Sequence, residues 1–525
     1  MSFPAQNGVV LPVDASALGS ASREELIALV VMLSEQVSAL TARITEQDAR
    51  IAEQDAVIAE LTEKLAAATA TSRTSSKPPS SDGLRKPPTP APTSRRTKTG
   101  RKPGGQLGHD GAALAQVADP DDVIDHRPRA CSGCAASLAD AVVTSIAARQ
   151  VADLPENVRL AWTEHRIATC VCECGARTSA GVADGVPAGV SAPVQYGPRV
   201  RAAAAWLVAE HYLPIARAAA VLAGLSGAAP SAGSVATWTA AAGDALAADG
   251  GFLDAVAAQL ADADVLHADE TGLRTAGSLA WVHVACTLAL VLLSVHTGDG
   301  RRGRAAIDRA GVIGNLKPGA VLVSDYWAPY FSYAAVHALC GAHVVRELRA
   351  VCEAAPACTT EDGSQSWAGK MLHFLESLNA EVRTARQEGR QELDPAVLAA
   401  KVTTFEKILA LGHEQNPPPP GGWLAASRRP KAVNLLLRIE GEQKAYLRFA
   451  RDFAVPFTNN QAERDLRGVK LRQKISGCLR TVKGAEVFVA IRSYLLTAQR
   501  QGRASLVVLR ELFEGRVWIP QLATT

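Results

Sequence analysis

The chain has 525 residues, a hydrophobic content of 48%, a charged content of 20% and a formal net charge of +3. This length predicts about three or four domains, and the composition is that of a soluble globular protein rather than a disordered one. The net charge is too small to identify a partner, so the positions of the charges are more informative. No N-terminal stretch resembles a secretory signal, and ten cysteines without that context predict a reducing, cytoplasmic location.

Residues 22–67 are predicted to form a coiled-coil helix. Two heptad registers are apolar, one mostly β-branched and the other mostly leucine, which favours a parallel two-stranded coiled coil. The registers are Val30, Val37, Ile44, Ile51, Ile58 and Leu65, and Leu26, Leu33, Leu40, Gln47, Gln54 and Leu61. A single amphipathic helix packed on its own chain is the alternative. Because the repeat holds no Gly or Pro, we predict a homodimer or higher oligomer.

Residues 68–125 are rich in Pro, Ser, Thr and Gly, and we predict an extended linker without a core. Its basic residues greatly outnumber its acidic ones. A solubilising tether is one interpretation. The other, which we favour, is a tail that neutralises DNA phosphates without reading sequence. Its candidate DNA-binding residues are Lys98, Arg101 and Lys102.

Residues 126–190 contain five of the ten cysteines and are predicted to form a small zinc-binding domain. A CxxC turn presents two thiolates to one ion, and a second group could complete a tetrahedral four-thiolate site. The predicted ligands are Cys131, Cys134, Cys172 and Cys174. Cys170 or His126 could replace one of them. Because four thiolates leave no open position, the Zn²⁺ would be structural.

Residues 195–255 read as helices separated by short turns, and the stretch "LSGAAPSAGS" resembles the turn before a recognition helix. We predict a helical domain here. It is either a helix-turn-helix that binds DNA or a plain packing domain.

Residues 262–525 begin with a strand-like sequence pattern, in which two short apolar runs each end in an aspartate. Val265 to Ala268 precede Asp269, and Ala320 to Ser324 precede Asp325. Between them, "TAGSLAWVHVACTLALVLLSVHTG" carries no charged residue and is long enough to span a membrane. It splits into two runs of strand length, roughly 279–285 and 288–296, so we predict a buried hairpin instead.

This order of strand, hairpin, helix and strand predicts a ribonuclease-H-like α/β core. The two leading strands would lie side by side, and Asp269 and Asp325 would leave the sheet at one edge. Glu463, on a later helix, could complete a set of three carboxylates. Such a set suits two Mg²⁺ (or Mn²⁺) ions, which cleavage or transfer of a phosphodiester requires.

Glu463 lies in "FTNNQAERDLRGVKLRQK", where positive charge is dense. One explanation is a capping box, with Asn460 as the cap. However, basic residues recur on the same helical face, which capping does not require. The residues predicted to hold DNA here are Arg464, Arg467, Lys470 and Lys474.

Four segments, "HADETG", "SDYWAPY", "CGAHVVREL" and "TNNQAERDLRGVKLRQKISG", resemble transposases of the insertion sequence 66 family, in the DDE superfamily. The coiled coil, the "SSKPPSSDG" linker and the cysteine knuckles occur in the same order as in that family. The resemblance implies that Asp269, Asp325 and Glu463 form the metal-binding triad, and that a helical insertion occupies about 350–450. It also implies element-end and target DNA as partners, accessory proteins of the element, and a bacterial, nucleoid-associated location without a membrane.

Two neighbouring residues have predicted roles of their own. His343 is either a DNA phosphate or active-site hydrogen-bonding group, or a packed structural histidine. Glu270 is expected on the opposite sheet face from Asp269, as a spare carboxylate. The Cys172-x-Cys174 spacing departs from the family pattern and leaves the zinc ligands open.

The predicted architecture is therefore multidomain: an N-terminal coiled coil, a small zinc-binding domain, a helical DNA-binding domain and a ribonuclease-H-like catalytic domain with a helical insertion. The function predicted is that of a DNA transposase. A dimeric zinc-containing DNA-binding protein without catalysis is the alternative, but it gives the two strand-terminal aspartates no task. A nuclease of the same fold would cut without joining.

Overall fold

A computed structural model describes most of the chain, and the chain divides into two compact units. The helical unit contains residues 1–82 and 342–443, and the sheet unit contains residues 83–341 and 444–525. The predicted linker residues Lys98, Arg101 and Lys102 lie outside the described residues. The described ranges are 22–69, 116–152, 158–187, 189–297, 303–354, 366–419, 422–423 and 425–521.

The helical unit begins with one uninterrupted helix, α1, Arg23–Thr69. Three of its apolar heptad residues, Val30, Val37 and Ile44, are exposed, with 65, 61 and 57% of their surface accessible. The stretch Leu26–Ile51 is also long and apolar enough to cross a membrane, by length and composition alone. An apolar stripe of this kind needs a covering surface. The dimer partner predicted for it stays a prediction.

The rest of the helical unit lies where the sequence predicts an insertion. Two of its helices begin at side-chain caps: the Ser366 hydroxyl accepts from the Gly369 amide at 3.0 Å, and the Asp394 carboxylate accepts from the Ala396 amide at 2.8 Å. Phe374 packs edge-on against Phe405, with ring centroids 5.8 Å apart. The helices are α7 Gly341–Ala354, α8 Trp367–Gln387, α9 Pro395–Gln415 and α10 Lys431–Gly441.

The sheet unit contains a small two-stranded sheet, β1 Thr169–Val171 and β2 Arg177–Ser179, and one five-stranded mixed sheet. In the larger sheet the order is β5-β4-β3-β6-β7, with β3, β4 and β5 antiparallel and β6 and β7 parallel to β3. This order is compatible with a ribonuclease-H-like domain. Its strands are β3 Val265–Thr275, β4 Ser278–Cys286, β5 Val291–His296, β6 Val321–Ser324 and β7 Val336–Leu339.

The uncharged segment forms the hairpin β4–β5, as predicted, and both faces of the sheet are covered. On one face, Leu273 and Val282 pack with residues of the helices α13 and α14. On the other, Leu266 and Ala285 join a cluster with the helices α5 and α6. The covering helices are α5 Phe252–Ala261, α6 Arg304–Ala310, α13 Asn460–Ser476, α14 Val482–Arg500 and α15 Ser505–Phe513, with two short helices, α11 Gln443–Tyr446 and α12 Arg448–Arg451, before α13.

Three helices precede α5 and pack into the same unit. They are α2 Pro198–Ala209, α3 Ile215–Ser226 and α4 Ala232–Leu246. Helices α2 and α4 share one hydrophobic cluster with α14 and α15. Gly243 of α4 lies so close to Val487 that a Cβ there would be 2.9 Å from the Val487 Cα. The helices predicted as a separate domain at 195–255 are thus part of the core beside the sheet.

Helix α4 occupies the place of the recognition helix in the predicted helix-turn-helix. It contains neither Lys nor Arg, and its exposed Asp244 forms an ion pair with Lys483 at 2.7 Å. A helix that enters a DNA groove normally supplies cationic or amide side chains. The structure therefore favours the packing interpretation of these helices.

Candidate active site

Asp269 and Asp325 meet at one edge of the sheet. Strands β3 and β6 are parallel neighbours in a register that pairs His267 with Val323, and each aspartate follows two residues later. The parallel register confirms the predicted placement of the two strands. The carboxylate oxygens of both residues, with one from Glu270, lie within 4.8 Å of one another.

Glu270 belongs to this cluster, although it was expected to be a spare group on the opposite face. The pairing of β6 with β3 ends at Val323, so β3 continues beyond its neighbour at this point. The long Glu270 side chain therefore reaches the edge where the aspartates lie. Its Oε2 accepts a hydrogen bond of 2.6 Å from the Tyr330 hydroxyl, and both side chains are buried. Adjacent acidic residues at the end of a strand were the signal available in the sequence.

The donor set fits a hard divalent cation. Opposite ligands of an octahedral Mg²⁺ lie about 4 Å apart, close to the 4.8 Å within which the three oxygens already lie. The Asp269 Oδ1 accepts from the Glu270 backbone amide at 2.8 Å, which fixes the orientation of that carboxylate. Oxygen donors of this kind suit Mg²⁺ or Mn²⁺ rather than Zn²⁺.

Helix α13 carries Glu463 along strand β3. At its start the Asn459 Nδ2 donates to the Ala268 carbonyl, and further on the Lys470 Nζ donates to the Gly272 carbonyl, each at 2.7 Å. Between these points the helix rises about 16 Å and the strand about 13 Å, so the two elements run in the same direction. Glu463 lies about 6 Å beyond Asn459 along the helix axis, which is about two strand residues beyond Ala268.

Glu463 therefore lies beside β3 at about the level of Glu270. Among the described residues, the carboxylate oxygens that lie within 4.8 Å of one another at this edge come from Asp269, Glu270 and Asp325, and not from Glu463. Alternate residues of a strand share a face, and Asp269 lies between His267 and Leu273 on the face that α13 covers. The His267 ring contacts the Asn459 side chain at 2.9 Å, and Leu273 packs in one cluster with Leu466. Asp269 and Asp325 thus lie together on neighbouring strands, while Glu463 lies on the helix beside β3 and its membership of the triad stays a prediction.

The capping-box explanation of Glu463 is wrong. Helix α13 begins at Asn460, so the N-cap residue is Asn459, and no side-chain hydrogen bond caps the helix. Asn460 is exposed as the first helical residue. The Asn459 side chain is instead turned away from its own helix, toward β3.

The basic residues of α13 fall into two groups. Arg464, Arg467 and Lys474 are exposed, whereas Lys470 is half-buried and donates to the Gly272 carbonyl. Burial lowers the pKa of Lys470. Sequence spacing placed Lys470 with the others because it could not show that this side of the helix lies against β3. Its ammonium joins the helix to the strand, and its predicted contact with DNA stays a prediction.

His343 is the third residue of α7 and is half-buried. It belongs to the helical unit, and its role stays a prediction.

The predicted zinc ligands form two pairs, each in the turn of a small hairpin. In the first, hydrogen bonds from the Gly133 and Cys134 backbone amides lower the pKa of the Cys131 thiol. In the second, the Cys174 amide lowers the pKa of Cys172, between β1 and β2. Among the described residues, no three of these sulfur atoms lie within 4.8 Å of one another. The pairs are therefore present, while the joint four-thiolate site stays a prediction.

Comparison with known proteins gives a family. The model described as "Transposase IS66 family" matches residues 193–487, more than half of the chain, and this range includes all three predicted carboxylates. A second model, described as a family of unknown function (DUF6444), matches residues 14–115. No curated protein matches the chain.

Proposed function

The chain belongs to the IS66 family of transposases, and from this premise we propose that it cuts DNA at the ends of an insertion sequence and joins the freed 3′-OH to target DNA. The observation that carries the proposal is the meeting of Asp269 and Asp325 within 4.8 Å at the edge of two parallel strands. A purely DNA-binding protein has no use for such a cluster.

Asp269, Asp325 and Glu463 would hold the catalytic metal ions. When bound, Mg²⁺ or Mn²⁺ activates the attacking oxygen and neutralises charge on the leaving oxygen of an in-line displacement. The carboxylates position this site on rigid elements, two on the sheet and one on α13. Glu270, held by Tyr330, is an additional carboxylate that would orient the set from the other face of the strand.

The exposed cations of α13 support a DNA contact beside these carboxylates. Arg464, Arg467 and Lys474 would bind phosphates, which fixes the position of DNA without reading its sequence. Lys470 also donates to the Gly272 carbonyl, so its share of phosphate binding should be small. The basic linker residues, together with His343, are proposed as further phosphate contacts.

Three further parts of the proposal concern assembly, zinc binding and location. The exposed heptads of α1 would pair with a second copy of the chain, giving a homodimer or higher oligomer. The two cysteine pairs would hold a structural Zn²⁺ through Cys131, Cys134, Cys172 and Cys174. Its work on DNA would place the protein in the bacterial cytoplasm at the nucleoid, together with any accessory proteins of the element.

The proposal is tested by substituting the carboxylates and measuring cleavage, joining and end binding separately. Asp269→Ala, Asp325→Ala and Glu463→Gln should each lower cleavage and strand transfer by more than about 100-fold, since even changes outside the ligand shell cost 10–100-fold. Binding to element ends should stay nearly unchanged. Asp249→Asn, on an exposed turn, is the matched control.

Each outcome separates the candidate functions. Near-normal transfer by Glu463→Gln would refute the triad. Cleavage without joined products would identify a nuclease of the same fold. End binding without metal-dependent cleavage by the wild-type chain would favour the non-catalytic DNA-binding protein.

A further inference from the structure

Asn459 is a buried, hydrogen-bonded polar side chain at the start of α13. It is 1% exposed. Its Nδ2 donates to the Ala268 carbonyl at 2.7 Å, and its Oδ1 lies 2.9 Å from the His267 Nδ1. Its backbone amide donates to the Cys340 Sγ at 3.1 Å. One residue thus joins the start of the helix to β3 and to the residue that follows β7.

The orientation of this amide follows from its partners. The Ala268 carbonyl can only accept, so the Asn459 side-chain nitrogen must face it and the oxygen must face His267. The His267 Nδ1 is therefore the donor in the second bond. A rotated amide would place two oxygens against each other, so the network has one arrangement.

Asn459 gives up a favourable local bond to make these contacts. Asparagine is among the best N-cap residues, and a side-chain cap contributes about 1 kcal/mol to a helix. Here the N-cap side chain makes no capping bond. Departures from local sequence preferences, such as an unused N-cap, are expected most often at functional sites. Both side-chain contacts that replace the cap lead to β3, the strand that carries Asp269 and Glu270.

We propose that Asn459 is a positioning residue, which fixes the position of Glu463 beside strand β3 by fastening the first turn of α13 to that strand. The proposal rests on the proposed function, because Glu463 is its point of action. Ala268, which accepts from Asn459, directly precedes Asp269, and Glu463 follows Asn459 by one helical turn. The Glu463 backbone amide donates to the Asn459 carbonyl at 3.3 Å, so the two residues move as one unit.

A second close approach supports the same placement. The Gly341 amide donates to the Phe457 carbonyl at 2.8 Å, and a Cβ at Gly341 would lie 2.3 Å from the Phe457 ring. The segment before α13 is therefore seated directly against the end of β7. Sliding of α13 along β3 is opposed at Asn459 and again at Lys470.

The test measures Mn²⁺ binding to the full chain by electron paramagnetic resonance of the free ion. Asn459→Ala should weaken Mn²⁺ binding by about tenfold, as expected for a residue that orients a ligand. Asn460→Ala is the matched control, since it removes the same side chain from the adjacent exposed position, and it should leave the affinity unchanged. Circular dichroism shows whether each variant is folded.

A double substitution isolates the route of the effect. If Asn459 acts through Glu463, then Asn459→Ala should cause no further loss of Mn²⁺ affinity in a Glu463→Gln background. An equal tenfold loss in both backgrounds would overturn the proposal, because the effect would then not depend on Glu463. Should Asn459→Ala fail to fold, His267→Phe removes one of the two side-chain bonds and should weaken Mn²⁺ binding in the same direction by a smaller factor.

The remaining outcomes distinguish this proposal from the proposed function. If Asp269→Ala binds Mn²⁺ as well as the wild-type chain does, the metal centre is refuted, and the positioning role with it. If Asp269→Ala loses binding while folded Asn459→Ala retains it, only the positioning role is refuted.

Discussion

Replacement of Arg500 by methionine should destabilise the sheet unit strongly, because Arg500 forms an ion pair with Asp465, a buried carboxylate on α13. The Arg500 Nη2 donates to both oxygens of Asp465, at 2.7 and 2.6 Å. Its Nη1 also donates to the carbonyls of Thr287 and Leu290, at 2.6 and 2.9 Å. The two paired side chains are only 12% and 5% exposed.

The magnitude follows from what each substitution leaves behind. Arg500→Met leaves a buried carboxylate and two carbonyls without their donor, and breaking a buried pair from one side costs about 3–5 kcal/mol. Asp465→Asn leaves the guanidinium with both carbonyl acceptors, so its loss should be smaller. Lys483→Met, which removes an exposed pair of the same helix, should cost at most about 1 kcal/mol.

The loss should also depend on pH in a direction that the burial dictates. Burial raises the pKa of Asp465, and Arg500 opposes that rise. Without Arg500 the folded-state pKa rises further above the unfolded value. When the pKa of a carboxyl is higher in the folded state than in the unfolded state, the protonated form stabilises the fold and the ionised form destabilises it. The free energy of unfolding therefore falls as the pH rises above about 4, the unfolded-state pKa. The deficit of Arg500→Met should therefore be larger at pH 8 than at pH 5.

Urea unfolding of the full chain at both pH values, followed by tryptophan fluorescence, measures these losses. Arg500→Met must be less stable than Asp465→Asn at pH 8. The reverse order, or a deficit that shrinks as pH rises, would refute the argument that an uncompensated Asp465 carboxylate is the main cost.

Two further pairs of variants test the surfaces. Lys474→Met should lower the slope of the logarithm of DNA affinity against the logarithm of salt concentration by about 0.9. Lys470→Met should leave the slope unchanged and lower stability, because the bond to Gly272 is lost. DNA titrations at several salt concentrations measure both slopes. Val37→Lys, at a heptad position 61% exposed in one chain, should convert a dimer into monomers in analytical ultracentrifugation. Val31→Lys, outside both apolar registers and 52% exposed, should not.

The sequence predicted best those features that depend on local patterns. An apolar run that ends in an aspartate specifies both a buried strand and the position of its acid, so Asp269 and Asp325 were found with the correct parallel strands. Membership of Glu270 in the cluster was missed, because strand alternation does not show where a neighbouring strand ends. The bond of Lys470 to β3 was missed, because helical spacing groups residues by angle but does not show what lies beside the helix.

Asn459 shows why the remaining geometry could not be read from the sequence. The motif "TNNQAER" offers two asparagines as caps, and local preference chooses between them without reference to the sheet. In the fold, the first asparagine has three partners that are more than 100 positions away, namely Ala268, His267 and Cys340. Their combined hydrogen bonds outweigh one cap worth about 1 kcal/mol. Where a helix must hold a ligand in register with a distant strand, contacts with that strand decide the start of the helix, and local preference then predicts the wrong cap.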